Sequence, residues 1–147
     1  MRLSRFTDYS LRVLLYLGAA PEGRATIAEI ARAFGISEHH LVKVAHFLGR
    51  QGFLATTRGH GGGLRLARAA ADINVGRLVR LTEGGDRPAE CFDRHTSQCT
   101  LTGRCDLQRA LKLALEQFYA ELGRHTLADL QLRPRSVRTL FPMEYAK

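Results

Sequence analysis

Between Thr26 and Leu66 the chain carries the succession that most limits its fold: a capped short helix, a glycine turn, a second helix and a glycine-rich hairpin. Thr26-Ile27-Ala28-Glu29 has the capping-box form, in which the threonine oxygen and the glutamate side chain satisfy backbone donors left free at a helix start. It opens a helix through Ala33, Phe34-Gly35-Ile36 makes a turn, and Ser37 stands as N-cap of a helix running through Leu41, Val44, Ala45 and Leu48 to Gly49. Upstream, Leu11, Leu14, Leu15 and Gly18 recur at helical spacing until Pro21-Glu22-Gly23 breaks the pattern. Downstream, residues 52–58 and 64–67 read as two short strands around Gly59-His60-Gly61-Gly62-Gly63. This order describes a mainly α fold with a small β-wing, a winged helix-turn-helix.

Charge points to a polyanionic partner for this part of the chain. Residues 1–80 hold 12 Lys and Arg against 5 Asp and Glu, whereas residues 81–147 hold 10 against 9. A basic module beside a nearly neutral one suits double-stranded DNA as partner of the first and a different task for the second. The N-terminal, polar face of the second helix of the motif then presents Ser37, Glu38, His39, His40 and Lys43 to the major groove. Glu38 can accept from a cytosine amino group, either histidine can reach a base edge or a phosphate, and Lys43 suits a phosphate. A solvated surface role remains equally open for each histidine. At the wing, Arg58, His60 and Arg65 supply charge for a narrow minor groove. The glycine loop lacks the Lys-Ser/Thr ending of a P-loop and opens no helix, which argues against nucleotide binding.

The second task is signalled by Cys91-x7-Cys99-x5-Cys105, which contains every cysteine of the chain. Thiolates so clustered can hold a soft metal or an iron-sulfur centre, but three is one short of the usual four. His95 lies between the first two, so a Cys3His zinc site is a competing reading, as is a trio of free thiols. An odd cysteine count and the lack of any apolar run near 18 residues suit a soluble, cytoplasmic protein. No acid-base pair lies beside the cysteines in sequence and no nucleotide motif is present, so an enzyme is not expected.

The segments around the cysteines complete the expected organisation. Val75, Leu78, Val79 and Leu81 lie on a helix ending near Gly84-Gly85, and residues 84–105 form a long irregular loop. From Asp106, Leu107, Leu111, Ala114, Phe118 and Leu122 alternate steps of three and four, the spacing of a seam against another helix. Such a helix after a small winged domain suits a homodimer that reads paired DNA half-sites, with packing onto its own domain as the alternative. His125-Thr126-Leu127-Ala128-Asp129-Leu130 reads as a short Thr-capped helix. The expected units are a winged DNA-binding domain over 1–83, a cysteine loop over 84–105, a dimerisation helix and short C-terminal helix over 106–131, and a flexible basic tail over 132–147.

The opening residues Met1 to Tyr9, the wing Arg58-Gly59-His60-Gly61-Gly62-Gly63-Leu64, the three cysteines ahead of a long helix and the closing His125 to Leu130 together resemble the winged-helix iron-sulfur transcription regulators. The nitric-oxide-sensing, NsrR-like branch looks nearest and the IscR-type regulators next. That resemblance implies a homodimeric repressor that leaves a palindromic operator when nitric oxide destroys its cluster. It also implies that Cys91, Cys99 and Cys105 hold a [4Fe-4S] cluster whose fourth ligand is Asp8 from the other subunit. On physics alone, Asp8 is an early-helix carboxylate stabilised by the helix dipole. The x7 spacing is longer than the x5 of the IscR relatives, and their histidine after the last cysteine has no counterpart in Cys105-Asp106-Leu107-Gln108. A [2Fe-2S] cluster therefore stays as the alternative nuclearity.

Overall fold

A computed structural model describes residues 2–131 except Pro21, Arg58, His60, Gly61, Asp86, Arg94 and Thr102. The expected basic tail over 132–147 lies outside the described residues. Helix α1 (Arg5–Ala19) begins where the Ser4 hydroxyl accepts from the Thr7 N–H at 3.1 Å. The two fully buried polar side chains of α1 are both satisfied locally: Ser10 donates to the Phe6 carbonyl at 2.7 Å, and Thr7 shares a hydrogen bond with Ser4. Helix α2 (Ile27–Phe34) starts on the expected capping box, with the Thr26 N–H donating to Glu29 at 2.6 Å and the Glu29 N–H to the Thr26 hydroxyl at 3.2 Å. Gly35, at φ 62°, ends it in the left-handed region that glycine enters without a Cβ penalty. Helix α3 (Glu38–Arg50) follows. Ser37 occupies its N-cap, but its hydroxyl makes no capping bond.

The hairpin strands β2 (Leu54–Thr57) and β3 (Gly63–Leu66) pair antiparallel, with Leu54 opposite Leu66 and Thr57 opposite Gly63. A two-residue strand β1 (Arg24–Ala25), absent from the sequence reading, adds to the other edge of β3 and makes a three-stranded sheet of order β1-β3-β2. Leu14 and Leu17 of α1, Ile30 of α2, and Leu41 and Leu48 of α3 meet Leu54 and Leu64 of the sheet in one core. Burying such side chains contributes about 1.5–3 kcal/mol each, which fixes the angle at which α3 is held out.

Helix α4 (Val75–Thr82) is capped by Asn74 and leads to the cysteine loop, which contains a 3-10 turn at Glu90–Phe92. Helix α5 (Asp106–Leu122) then returns along α4. Its buried side chains are Leu115 and Tyr119, which pack on Val75 and Val79, with Phe118 and Leu122 half-buried beside them. The expected seam is thus split: Leu107 and Ala114 are exposed, and the face used within the chain is the neighbouring one. The closing segment is a 3-10 turn at Ala128–Leu130 in place of the expected helix. Thr126 and Asp129 do cap one another there, and Leu127 re-enters the main core.

Candidate nucleic-acid interface and metal centre

The winged module turns the outward face of α3 to solvent. Leu41, Val44, Ala45 and Leu48 are buried, so helical geometry places Glu38, His39 and Lys43 opposite them, and all three are exposed, as is Ser37. Val42, His46 and Arg50 extend the same exposed face. Sequence reasoning passed over these three although the same 3.6-residue period points to them. An outward valine is notable because an apolar side chain on a recognition face suits a thymine methyl group. His40 sits at the edge of the face, exposed, with its ring 6.1 Å from that of Tyr9 on α1 and 6.2 Å from that of His39. Arg65 is exposed in β3, opposite Arg24 and Ala55. Arg58 and His60, expected at the wing tip, lie outside the described residues.

The cysteine loop joins the end of α4 to the start of α5, and two of its three cysteines line the same cleft. Cys91 and Cys105 are half-buried and line one cleft of about 460 Å³, together with Gln108, Arg109, Lys112 and Glu116 of α5. Cys99 is exposed and outside that lining, as is His95. Among the described residues no three His, Cys, Asp or Glu side chains are gathered closely enough to hold a metal. All three thiols are unbridged. Their chemistry fits a thiolate-bound metal group, since two already share a cleft whose wall carries Arg109 and Lys112, cations that offset thiolate charge.

The segment between Cys91 and Cys99 is folded around carboxylates that sequence reasoning did not single out. Asp93 accepts from the His95 N–H at 3.1 Å and pairs with Arg87 at 2.7 Å. The His95 N–H first, with Thr96 and Arg87 adding, holds its carboxyl below the usual aspartate range. Glu90 accepts from the Gln98 N–H at 2.6 Å, and the Ser97 N–H donates to the Asp93 carbonyl at 2.9 Å. Both carboxylates turn the long x7 spacer back on itself. On α5, the Gln108 amide donates to the Cys91 carbonyl at 2.6 Å, and its oxygen accepts from the Gly103 N–H at 3.3 Å. No periodicity signals any of these partners.

Asp8 lies in the first turn of α1, away from the cleft lining, and is held by both Nε and Nη2 of Arg12 at 3.0 Å. Both side chains are more than 40 % exposed, at 42% and 43%. An exposed i,i+4 pair of this kind contributes about 0.3–0.5 kcal/mol, so it is readily given up for a metal bond.

The model of the Rrf2 family, described as iron-dependent transcriptional regulators, matches residues 3–132. The chain belongs to the Rrf2 family. Among its relatives, the HTH-type transcriptional regulator NsrR of Geobacillus kaustophilus is 48% identical over 141 residues, covering 95% of this chain and 96% of that protein. NsrR of Bacillus subtilis is 41% identical, covering 98% and 99%. Of solved structures, the global cysteine regulator CymR of B. subtilis is similar with a TM-score of 0.70 at 25% identity, over 88% of this chain and 95% of that one. The T. potens IscR structure aligns over 100% of this chain and 93% of its own, with a TM-score of 0.71 at 22% identity, a likeness of fold. As a member of the Rrf2 family the chain is a winged-helix, DNA-binding transcriptional regulator and not an enzyme. Among the described residues no helix is long and apolar enough to cross a membrane.

Proposed function

We propose that this chain is an iron-sulfur-dependent repressor that senses nitric oxide and, as a homodimer, binds a palindromic operator. The observation that carries the sensor is the cleft at the head of α5, where Cys91 and Cys105 converge beside Arg109 and Lys112. The relatives named NsrR support nitric oxide as the signal. Residues 1–83 are the DNA-reading unit, 84–105 the sensor loop, 106–131 the dimerisation segment, and 132–147 a basic tail. Cys91, Cys99 and Cys105 would hold the cluster, with exposed Cys99 drawn toward the cleft, and Asp8 of the partner subunit would supply an oxygen ligand, a set suited to [4Fe-4S]. When bound, the cluster supplies iron at which nitric oxide reacts.

The chain's own residues connect this site to DNA. The α5 stripe of Leu107, Leu111, Ala114, Phe118 and Leu122 meets its copy in the partner through its outer part, since Phe118 and Leu122 also pack on α4 within the chain while Leu107 is 66% exposed. When the cluster is bound, Asp8 would exchange its pairing with Arg12 for the partner's site. Helix α1 carries that change directly, because Phe6 packs edge-on against Phe47 of α3 at 5.2 Å and Tyr9 faces His40. Small shifts there move two recognition helices out of the spacing of about 34 Å that successive major grooves impose. On the operator, Ser37, Glu38, His39 and His40 read base edges, Lys43 meets phosphate, and Arg58, His60 and Arg65 follow the minor groove.

Purification without oxygen tests the reading. The protein should be brown, contain iron and sulfide, and lose absorbance near roughly 400 nm together with operator binding when nitric oxide is added. A colourless protein holding one zinc per chain would replace this reading with a zinc site. Lys43→Ala should weaken binding to all sequences and lower the salt slope by about one, whereas His39→Ala should change base preference.

A further inference from the structure

We propose that Gln108 is the positioning residue of the sensor loop: its side-chain amide ties the backbone at Cys91 to the backbone just before Cys105, so that both thiols face one cleft before any metal arrives. The proposal rests on the cluster reading for its consequence but not for its geometry. The loop between the two cysteines is long and irregular, and bringing its arms together costs closure entropy. Few ties cross it. The Gln108 NH2 donates to the Cys91 carbonyl at 2.6 Å, and the same side chain's oxygen accepts from the Gly103 N–H at 3.3 Å. Gln108 is half-buried on the first turn of α5 and lines the cleft between Cys91 and Cys105.

Only an uncharged amide of this length can serve both arms. It needs a donor for the carbonyl at Cys91 and an acceptor for the N–H at Gly103, and it offers both from one terminal group. In Gln108→Glu the ionised carboxylate would still accept from Gly103 but would face the Cys91 carbonyl with a second acceptor. In Gln108→Leu the side chain would keep the bulk and serve neither arm.

Metal-free, reduced chain with Cys99→Ser isolates the geometry. A short bis-maleimide should link Cys91 to Cys105 readily in that background; Gln108→Glu should slow the linkage about fivefold, the factor that one net hydrogen bond supplies, and Gln108→Leu, which loses both bonds, should slow it further. Exchange of the Gly103 amide should rise in Gln108→Leu and stay near its original rate in Gln108→Glu, because only the first loses the acceptor. Helix content measured by circular dichroism should match across the variants, since Gln108 lies in the first turn of α5 and its two bonds are to the loop and not within the helix. In cluster-loaded protein with all three cysteines, Gln108→Glu should release iron to a chelator about fivefold faster and Gln108→Leu faster still. Linkage rates unchanged in both variants would overturn the proposal whatever the iron assay shows. If the linkage responds as expected but no chain, the unaltered one included, takes up an iron-sulfur cluster, the cluster reading fails and the positioning role of Gln108 stands.

Discussion

The two ends of α5 are secured by different physics. At the C-terminal end the contact is backbone to backbone: Gly76 of α4 lies so close that a Cβ there would stand 2.5 Å from the Tyr119 carbonyl oxygen and 2.6 Å from the Gly123 nitrogen. The Asn74 amide donates to the Gly123 carbonyl at 2.6 Å, the Val75 N–H to the His125 carbonyl at 3.0 Å, and the Leu127 N–H to the Ile73 carbonyl at 2.8 Å. At the N-terminal end, α5 meets the rest of the chain through the cysteine loop, with Leu107 exposed and Gln108 as the tie. The difference teaches where each job is done. A close-packed joint transmits force with little give, while a loop held by side chains can rearrange to collect Cys99 around a ligand.

The largest expected effect comes from damaging the rigid end. Gly76→Ala places a methyl group against backbone atoms that cannot rotate away, and should cost about 3 kcal/mol, the upper range for overpacking. Urea denaturation of the metal-free chain measures it. Cys105→Ser at the other end should change the same stability by no more than about 0.5 kcal/mol while abolishing iron retention. Equal losses at both positions would erase the distinction between joint and sensor.

A smaller loss should follow from Asn74→Ala. Its oxygen caps α4 by accepting from the Arg77 N–H at 2.9 Å while its NH2 reaches the Gly123 carbonyl. Losing a cap and one hydrogen bond should cost about 1–2 kcal/mol, with the Val75 and Leu127 backbone bonds still holding the joint. Hydrogen exchange sharpens the comparison: the Val75 and Leu127 amides should speed up in Asn74→Ala, and those of the cysteine loop should not.

Legibility in the sequence follows the same divide. The winged module could be read because its signals are local and periodic: Thr26 and Glu29 cap α2 as their spacing requires, and Leu41, Val44 and Leu48 fall on the buried face of α3. Strand β1 could not, since Arg24 and Ala25 are strand only by pairing with β3, and two residues carry no period. On α5, spacing picked out Leu107, Leu111, Ala114, Phe118 and Leu122, yet the chain buries Leu115 and Tyr119. Two adjacent apolar faces satisfy the same helical period, and the choice between them goes with the absent Cβ of Gly76 on another helix. In the cysteine loop the residue types announced metal chemistry. The arrangement of the loop involves Gln108, Asp93 and Glu90, polar side chains that bond to backbone groups and leave no pattern behind.

The smallest effect separates the two ends by acid. Asp93 in the cysteine loop and Asp129 beside the joint both have carboxyls held below the ordinary range, the first chiefly by the His95 N–H and the second by the N–H and hydroxyl of Thr126. A carboxyl whose folded value lies below its unfolded one, about 3.9, contributes stability that is fully present above that pH and is lost as pH falls through the folded value. Both contributions are therefore present in full between about pH 5 and pH 8, and neither makes stability vary across that range. Below about pH 4 the ends should part company. Protonating Asp129 leaves the backbone bonds of Val75 and Leu127 in place, so exchange at the joint should barely change. Protonating Asp93 weakens its hold on both His95 and Arg87, so exchange across residues 95–98 should rise. Carbon NMR titration of the two carboxyls gives the midpoints. A midpoint for Asp93 at or above that of a free aspartate would remove it from the organisation of the loop and leave Glu90 to turn the spacer.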